Sequence, residues 1–434
     1  MPQKINHTFI TIFRYPLPLK ITVLSSKIFN MDNIKTIGII AEFNPFHKGH
    51  EHILKAAREV YGADQVVVVM SGDHVQRGEP AIIDKYARAK AALYAGADLV
   101  LELPVIFATG SAQYFARGAV SALINCTCVD ALLFGSECGR IDILKELASG
   151  NTAADEAVSD ETVSGCSSPS GNHDGRFTPK DLRLSPNDLL AVEYLKALDY
   201  FGSDIIPLTI PRIGTPHNDT SASDTYASAS ALRQILSTGG ADSAGNTLSA
   251  YIPEYACDIL SGYISDKQFL TADAYSDALF IRLLQNRAAG YAGYFDVFED
   301  LSDKIISKLE EYSSFTAFIK SLKSKDISYS HLSRALLHIL LGIKKSDVGL
   351  LSQNCGYCPW LRILGLKKDS AVMGMIKRSA GRPLLSKLAD SDKLLDSTLL
   401  PVLTSDISAS ELYSYHSDKK SGFVSEYRRG IVIL

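Results

Sequence analysis

The sequence predicts an α/β fold, with a parallel-sheet domain followed by a mainly helical one, and three observations carry the prediction. Apolar runs of strand length recur at 37–41, 65–70, 97–104 and 130–137, each closed by a polar loop with glycine or proline. The segments after these loops show helical spacing, as in 84–94 and 111–124. Strands that are apolar throughout, alternating with helices, mark a parallel sheet covered on both faces. From about residue 245 this rhythm gives way to helical periodicity over 274–284, 303–312, 316–322 and 331–342.

Taken in order, the elements divide the chain into three parts. Residues 1–33 read as a loose N-terminal extension, because the apolar stretch 10–23 is broken by Arg14, Pro16, Pro18 and Lys20. No signal-peptide cleavage pattern follows, and Met31 reads as the natural start, with a short extra strand or an interfacial segment as the other reading. Residues 34–244 form the sheet domain. Within it, 149–184 is rich in Ser, Thr, Asp, Gly and Asn and reads as an insertion too polar to offset its ordering entropy. Ser185 or Asn187 is placed to cap a helix running to Leu198, and 204–208 is a short fifth strand before a polar loop holding His217 and Asn218. Residues 245–434 are the helical domain, with terminal strands expected around Val402 and Leu403 and at 431–434.

Composition sets broad limits. A net charge of −4 over 434 residues neither requires nor excludes a nucleic-acid partner. Seven cysteines, few and odd in number, suit a reducing cytoplasm better than a disulfide scaffold. No run is long and apolar enough to span a membrane, so no membrane partner is expected. Cys355 and Cys358 form a lone C-x-x-C without a second pair, and read as structural or incidental rather than as a metal site.

The chemistry concentrates at the first strand-to-helix turn. His47-Lys48-Gly49-His50 opens a helix directly after the first strand, where a helix dipole and backbone N–H groups favour an anion. Gly49 leaves room for a phosphate, and His47 and His50 can donate hydrogen bonds to oxygens on a phosphorus that gains charge. The bland alternative is a loop with two surface histidines. The loop 71–80 follows the second strand, and ligands bind at the carboxyl ends of such strands, so Ser71, Gln76 and Arg77 are expected nearby. Lys85, Arg88 and Lys90 on the next helix read as solvated charges. Gly135, directly after a buried strand, can let a nucleotide ring lie against the backbone, or can be only a turn. Ser228 and Ser230 at a helix start, with Arg233 one turn on, form a second anion grip. Late in the chain Lys344, Lys345, Arg362, Lys367, Lys368, Lys377, Arg378, Arg382 and Lys387 cluster with Tyr357 and Trp360, a composition that suits RNA.

Phe43-Asn44-Pro45-Phe46-His47-Lys48-Gly49-His50, the loop 71–80 and Ser228-Ala229-Ser230-Ala231-Leu232-Arg233 together resemble the H-x-G-H nucleotidyltransferase superfamily. More narrowly they are similar to the bacterial tRNA(Met) cytidine acetate ligases, from about Ile34 to near the C-terminus. The resemblance implies a Rossmann-like ATP-binding domain and an RNA-binding helical domain that together make N4-acetylcytidine at the wobble position of elongator tRNA(Met) from acetate and ATP. It implies His47, His50 and Arg233 as catalytic, and Ile40, Ala41, Glu42, Phe43, Asn44, Pro45, Phe46, Lys48, Gly49 and His52 as the first ATP-contacting segment. Gly135, Asn187 and Arg212 would add contacts; Ser228 and Ser230, read above as an anion grip, join them as ATP-binding residues, and Mg²⁺ commonly accompanies such triphosphates. Lys344, Lys345, Arg362, Lys367, Lys368, Lys377 and Arg378 would face tRNA. The chain departs from the family in its Ser-rich insertion and at Asp188, where a second Asn is usual. Two other readings stand beside this one: a small-molecule adenylyltransferase making a dinucleotide cofactor, and a non-catalytic RNA-binding protein on the same scaffold.

Overall fold

The computed structural model describes residues 34–150, 184–212, 228–238, 248–418 and 423–434. The N-terminal extension, nearly all of the Ser-rich insertion, Cys166, His217 and Asn218 lie outside the described residues.

The strands β1 (Thr36–Ala41), β2 (Gln65–Ser71), β5 (Leu99–Leu103), β6 (Ala131–Ser136) and β7 (Ile206–Pro211) pair in parallel. A short hairpin, β3 (His74–Val75) with β4 (Glu79–Pro80), stands apart from them. The main sheet runs β10-β8-β5-β2-β1-β6-β7, where β8 is Leu361–Leu366 and β10 is Val432–Ile433; β9 (Leu384–Leu385) pairs with β8.

Both faces of this sheet are buried, which explains the unbroken apolar strands. Along β2, Val67 and Val69 enter one hydrophobic cluster while Val66, Val68 and Met70 enter another on the opposite face. The first cluster is covered by α3 (Val105–Ala108), α4 (Ala112–Cys126), α5 (Ile141–Ala148) and α6 (Pro186–Tyr200). The second is covered by α1 (Lys48–Glu59), α2 (Lys85–Tyr94) and α8 (Glu254–Asp266). Helix α7 (Ala229–Thr238) also packs there through Leu232 and Leu236. A third cluster, from Leu270 to Ile339 plus Tyr413, is the core of the helical region.

The expected boundary at 244/245 meets a chain that crosses back. Strand β8 lies antiparallel to β5, and β10 lies parallel to β8, so the C-terminal half completes the sheet of the N-terminal half. Residues Ile34–Leu434 accordingly form one compact unit. Val402 and Leu403, expected in a strand, lie instead in the helix Leu400–Ser417, whose first turn holds Pro401. A short apolar pair fits either period, and a proline at the first turn of a helix loses no intrahelical bond. Among the described residues, no helix is long and apolar enough to cross a membrane.

Candidate active site

The turn after β1 is built by residues that hold one another. His47 is the N-cap of α1: its Nδ1 accepts from the Gly49 N–H at 3.0 Å, while His50 Nδ1 accepts from the His47 N–H at 3.3 Å. This reciprocal capping box stacks the two imidazoles, with centroids 3.7 Å apart and planes at 25°. Because each Nδ1 accepts, each ring carries its hydrogen on Nε2 and can donate only there.

Gly49 is needed for a reason the sequence did not show, since a Cβ there would sit 2.9 Å from His47 Cε1. The backbone amides expected to bind an anion are already satisfied. Lys48 N–H donates to Tyr251 O at 2.9 Å, Gly49 N–H to His47, and the His50 and Glu51 amides to His47 O at 2.9 and 3.1 Å. The pull on an anion at α1 therefore comes from the helix dipole and the two Nε2–H groups.

Behind the pair, Phe43 meets His50 edge-on at 4.9 Å and Phe46 lies 5.7 Å from it. Phe43 takes a positive φ of 51°, which turns the chain out of β1. Burial, then His47 and Arg212, hold the His50 imidazole well below its usual pKa, so it is neutral at physiological pH. Lys48 reaches the other way, with its ammonium on Ala250 O at 2.5 Å. His52 lies two residues past His50 in α1, about 200° round the helix axis, and does not share its face.

Other predicted residues gather at the same strand ends. Arg233 donates to Asn44 O at 2.8 Å and to Ser230 Oγ at 3.0 Å, so the second anion grip touches the first segment directly. Ser228 caps α7, accepting from the Ala231 N–H at 3.1 Å. Asn44 Oδ1 accepts from the Ile82 N–H at 2.8 Å, and Glu42 Oε1 from the Gln76 N–H at 2.8 Å, which seats the loop 71–80 beside the histidine turn. Within that loop Ser71 is fully buried, whereas Arg77 is exposed. Burial raises the pKa of Glu79 against the pull of Arg233 and Arg77, and lowers that of Arg233 with help from Arg77. These shifts place Glu42, Arg77, Glu79 and Arg233 in one electrostatic group.

On the β6 side, a Cβ on Gly135 would meet nothing within 4 Å, so its backbone is open to a ligand. Glu137 collects Asn187 Nδ2 at 2.5 Å, Ser185 Oγ at 2.5 Å and Arg212 Nη1 at 3.2 Å. Asp188, the departure from the usual Asn, accepts from Ser136 Oγ at 2.7 Å and the Cys138 N–H at 3.2 Å. Both partners are donors, so a carboxylate suits the position.

The residues expected to face tRNA separate. Arg362 does not face solvent: it is 4 % exposed and pairs with Glu102 at 2.9 Å and Glu426 at 2.6 Å. Trp360 and Tyr357 are buried as well, so the basic cluster has no aromatic surface there. Lys367 and Lys368 lie at the amino ends of the parallel strands, where Lys367 N–H donates to Asp98 O at 2.9 Å. Lys377 and Arg378 end the exposed last turn of the helix Val372–Ser379, beside the C-terminus of α4. Lys344 and Lys345 follow the helix Tyr329–Leu341, which packs on Gly78 and Thr109 beyond the carboxyl ends of β2 and β5. Lys344 Nζ stands 3.1 Å from the centroid of Tyr294.

Lys85 and Arg88, expected to be solvated, are both 0 % exposed. Their spacing on α2 is that of a surface face, and only the partners brought by distant segments show otherwise. Cys358 Sγ donates to Trp360 O at 3.0 Å, consistent with a structural thiol. Among the described residues, no group of three or more His, Cys, Asp or Glu could hold a metal ion. A groove of about 530 Å³ between α2 and α8 includes none of the predicted nucleotide contacts in its lining.

A parallel sheet whose first strand ends in a stacked H-x-G-H capping box, with an arginine from α7 beside it, defines a nucleotidyltransferase. A model of the HIGH Nucleotidyl Transferase family matches residues 34–426, and the chain belongs to that family. Within it the chain belongs to the tRNA(Met) cytidine acetate ligases. It is 34% identical to the protein of that name from Acetivibrio thermocellus over 92% of this chain and all of the relative. It is 36% identical to the Clostridium perfringens protein of the same name, over 87% of this chain and 94% of the relative. Among solved structures, Thermotoga maritima TmcAL in its apo form matches with a TM-score of 0.79 and 26% identity, covering 92% of this chain and 100% of the other. The same protein bound with alpha-thio ATP matches with a TM-score of 0.77 at the same identity and coverage.

Proposed function

We propose that this chain is an ATP-dependent ligase that acetylates the N4 amine of the wobble cytidine in elongator tRNA(Met), using acetate through an acetyl-adenylate. The carrying observation is the stacked His47–His50 pair at the carboxyl end of β1, with Arg233 on the adjoining Asn44 carbonyl. It stands in a chain similar over 92% of its length to a protein named for that reaction.

In the first step a carboxylate oxygen of acetate attacks the α-phosphorus of ATP, the bond to pyrophosphate breaks, and acetyl-adenylate remains. Acetate is a weak nucleophile, so positioning and charge neutralisation supply the rate. The Nε2–H groups of His47 and His50 donate to the α-phosphoryl oxygens. The His50 ring is neutral, so it donates without carrying a formal charge. Arg233 neutralises the departing β- and γ-phosphates. The open backbone at Gly135 and the Glu137–Asn187–Arg212 group receive the nucleoside. Magnesium arriving with the triphosphate would take its ligands from phosphate oxygens and water.

In the second step the cytidine N4 attacks the acetyl carbon, the C–O bond to AMP breaks, and the amine loses a proton. The base must leave its stack to reach the pocket. The helical region around Lys344 and Lys345, beyond the carboxyl ends of the sheet, bears the tRNA, and the enzyme works in the cytoplasm.

The test is incubation with ATP, labelled acetate and bulk tRNA. Label in tRNA, with AMP and pyrophosphate formed, is the expected result. Pyrophosphate released only with another phosphorylated substrate would point to a cofactor adenylyltransferase. Neither product would leave an RNA-binding protein.

A further inference from the structure

We infer that Arg88 is a positioning residue for this ligase, a clamp that fixes the spacing of the β1 and β2 ends and so aims His50 at the nucleotide. The inference rests on the proposed ligase reaction. Arg88 lies in α2, and its side chain is wholly buried. Its Nη1 donates to Glu42 O at 2.7 Å and to Ser71 O at 3.0 Å, its Nη2 to Gly72 O, and its Nε to Ile83 O at 3.0 Å.

These carbonyls lie at a revealing place. The ladder between β1 and β2 ends at the pair Ala41–Met70, so Glu42, Ser71 and Gly72 lie just past its last rung. Beyond that rung the guanidinium bridges the two strands. Each strand end then leads into the site. Glu42 precedes Phe43, whose ring packs edge-on against His50 at 4.9 Å. Gly72 leads into the loop whose Gln76 N–H returns to Glu42 Oε1 at 2.8 Å. The guanidinium thus reaches His50 through one carbonyl and one phenyl ring.

The donor set is chosen for carbonyls rather than for charge. Among the described residues Arg88 has no ion-pair partner, while Lys85, three residues earlier, gathers Asp73, Glu102 and Glu426. Burying an unpaired cation is costly unless its N–H groups are satisfied, and four carbonyls satisfy it here. Only a planar fork reaches acceptors on two strands at once; an ammonium concentrates its donors on one atom.

The experiment compares Arg88→Lys and Arg88→Ala with the unsubstituted protein. It reads acetate-dependent ATP–pyrophosphate exchange per folded molecule, tRNA affinity, and thermal stabilisation by ATP. Arg88→Lys keeps the charge and most of the volume, so it is the variant that decides. The expected result is a loss of about 100-fold in kcat/KM for ATP with tRNA affinity within about twofold, as displacement of a catalytic group by about 1 Å produces. Lysine does not rescue alanine. Exchange by folded Arg88→Lys within about threefold of the parent would overturn the clamp, as would a loss matching only its unfolded fraction. If the parent itself shows no exchange, the proposed function falls, and the clamp is judged by ATP stabilisation alone. Stabilisation retained in Arg88→Lys then overturns it, and stabilisation lost supports it.

Discussion

One helix serves two clusters of charge, and they are built on opposite principles. Through Lys85, α2 enters a closed network: the ammonium meets Glu102 and Glu426 at 2.8 Å each and Ser410 Oγ at 2.7 Å, while Arg362 pairs with the same two carboxylates. Through Arg88, the same helix enters the mouth of the sheet, where its partners are carbonyls. In the first cluster cations and carboxylates neutralise each other; Glu426, which burial alone would raise, is held down at about 2 by Lys85 and Arg362. In the second, His50 is neutral, and Arg233 donates to the Asn44 carbonyl. The difference teaches that partner chemistry, more than burial, separates a tie from a binding site.

Breaking the closed cluster should have the largest effect. Lys85→Met leaves Glu102 and Glu426 without a principal cation at positions 6 % and 3 % exposed. Removing one partner of such a buried group costs about 3–5 kcal/mol. Urea unfolding should show that loss, while acetate-dependent exchange per folded molecule stays near the parent value. A loss below about 1 kcal/mol would mean that water or rearrangement replaces the lysine.

Breaking the open cluster should do the reverse. His50→Ala should lower exchange by about 10²–10³-fold, the range for removing one donor from a charge-stabilising site. Each variant also loses half of the capping box, His50→Ala the acceptor for the His47 N–H and His47→Ala that for the Gly49 N–H, so each should cost about 1 kcal/mol. Exchange kinetics beside thermal unfolding would check both, and parent-like exchange by either variant removes the role assigned to the pair.

The two clusters were unequally legible in the sequence, for a physical reason. The mouth is local: Phe43 to His50 are contiguous, and the capping box works over three residues. The first four parallel strands were legible because burial on both faces leaves an unbroken apolar run, whereas β7, at the edge of the sheet, is mostly half-buried. The closed cluster joins Asp73, Lys85, Glu102, Arg362, Ser410 and Glu426, and no local pattern marks such spacing. Arg362 therefore read as an RNA contact and Lys85 as solvated. Strand β8 was hidden for a related reason, since its antiparallel pairing with β5 joins residues as far apart in the chain as Leu99 and Leu366. At Gly49 the sequence showed the need for glycine but not its cause, which is the ring of His47.

At the edge of the closed cluster, pH sharpens the contrast. Asp406 Oδ1 accepts from the Val105 N–H at 2.7 Å, and burial, then Glu102, push its carboxyl up to about 7. The folded protein therefore binds a proton that the unfolded chain releases near pH 4, so this group's stabilisation is present at low pH and is lost as pH rises toward 7. Asp406→Asn keeps an acceptor for Val105 and cannot ionise. The difference in unfolding free energy between variant and parent should be near zero at pH 4 and favour the variant above pH 7. The shift sets a ceiling on the order of 4 kcal/mol on that change between pH 4 and pH 7. A difference flat from pH 4 to 8 would show that Asp406 ionises normally.

The smallest effect tests which end of the sheet meets tRNA. Lys345 is exposed beyond the carboxyl ends, on the helical block that seats Gly78; Lys368 is exposed at the amino ends, where its N–H donates to Leu434 O at 2.8 Å. Each lysine that neutralises a phosphate contributes about 1 to the slope of log affinity against log salt. Lys345→Ala should therefore lower that slope by about 1, and Lys368→Ala should leave it unchanged. Filter binding of tRNA over a range of salt measures both. The opposite pattern would place tRNA against the amino ends of the strands, with the reacting cytidine on the far side of the sheet from the paired histidines.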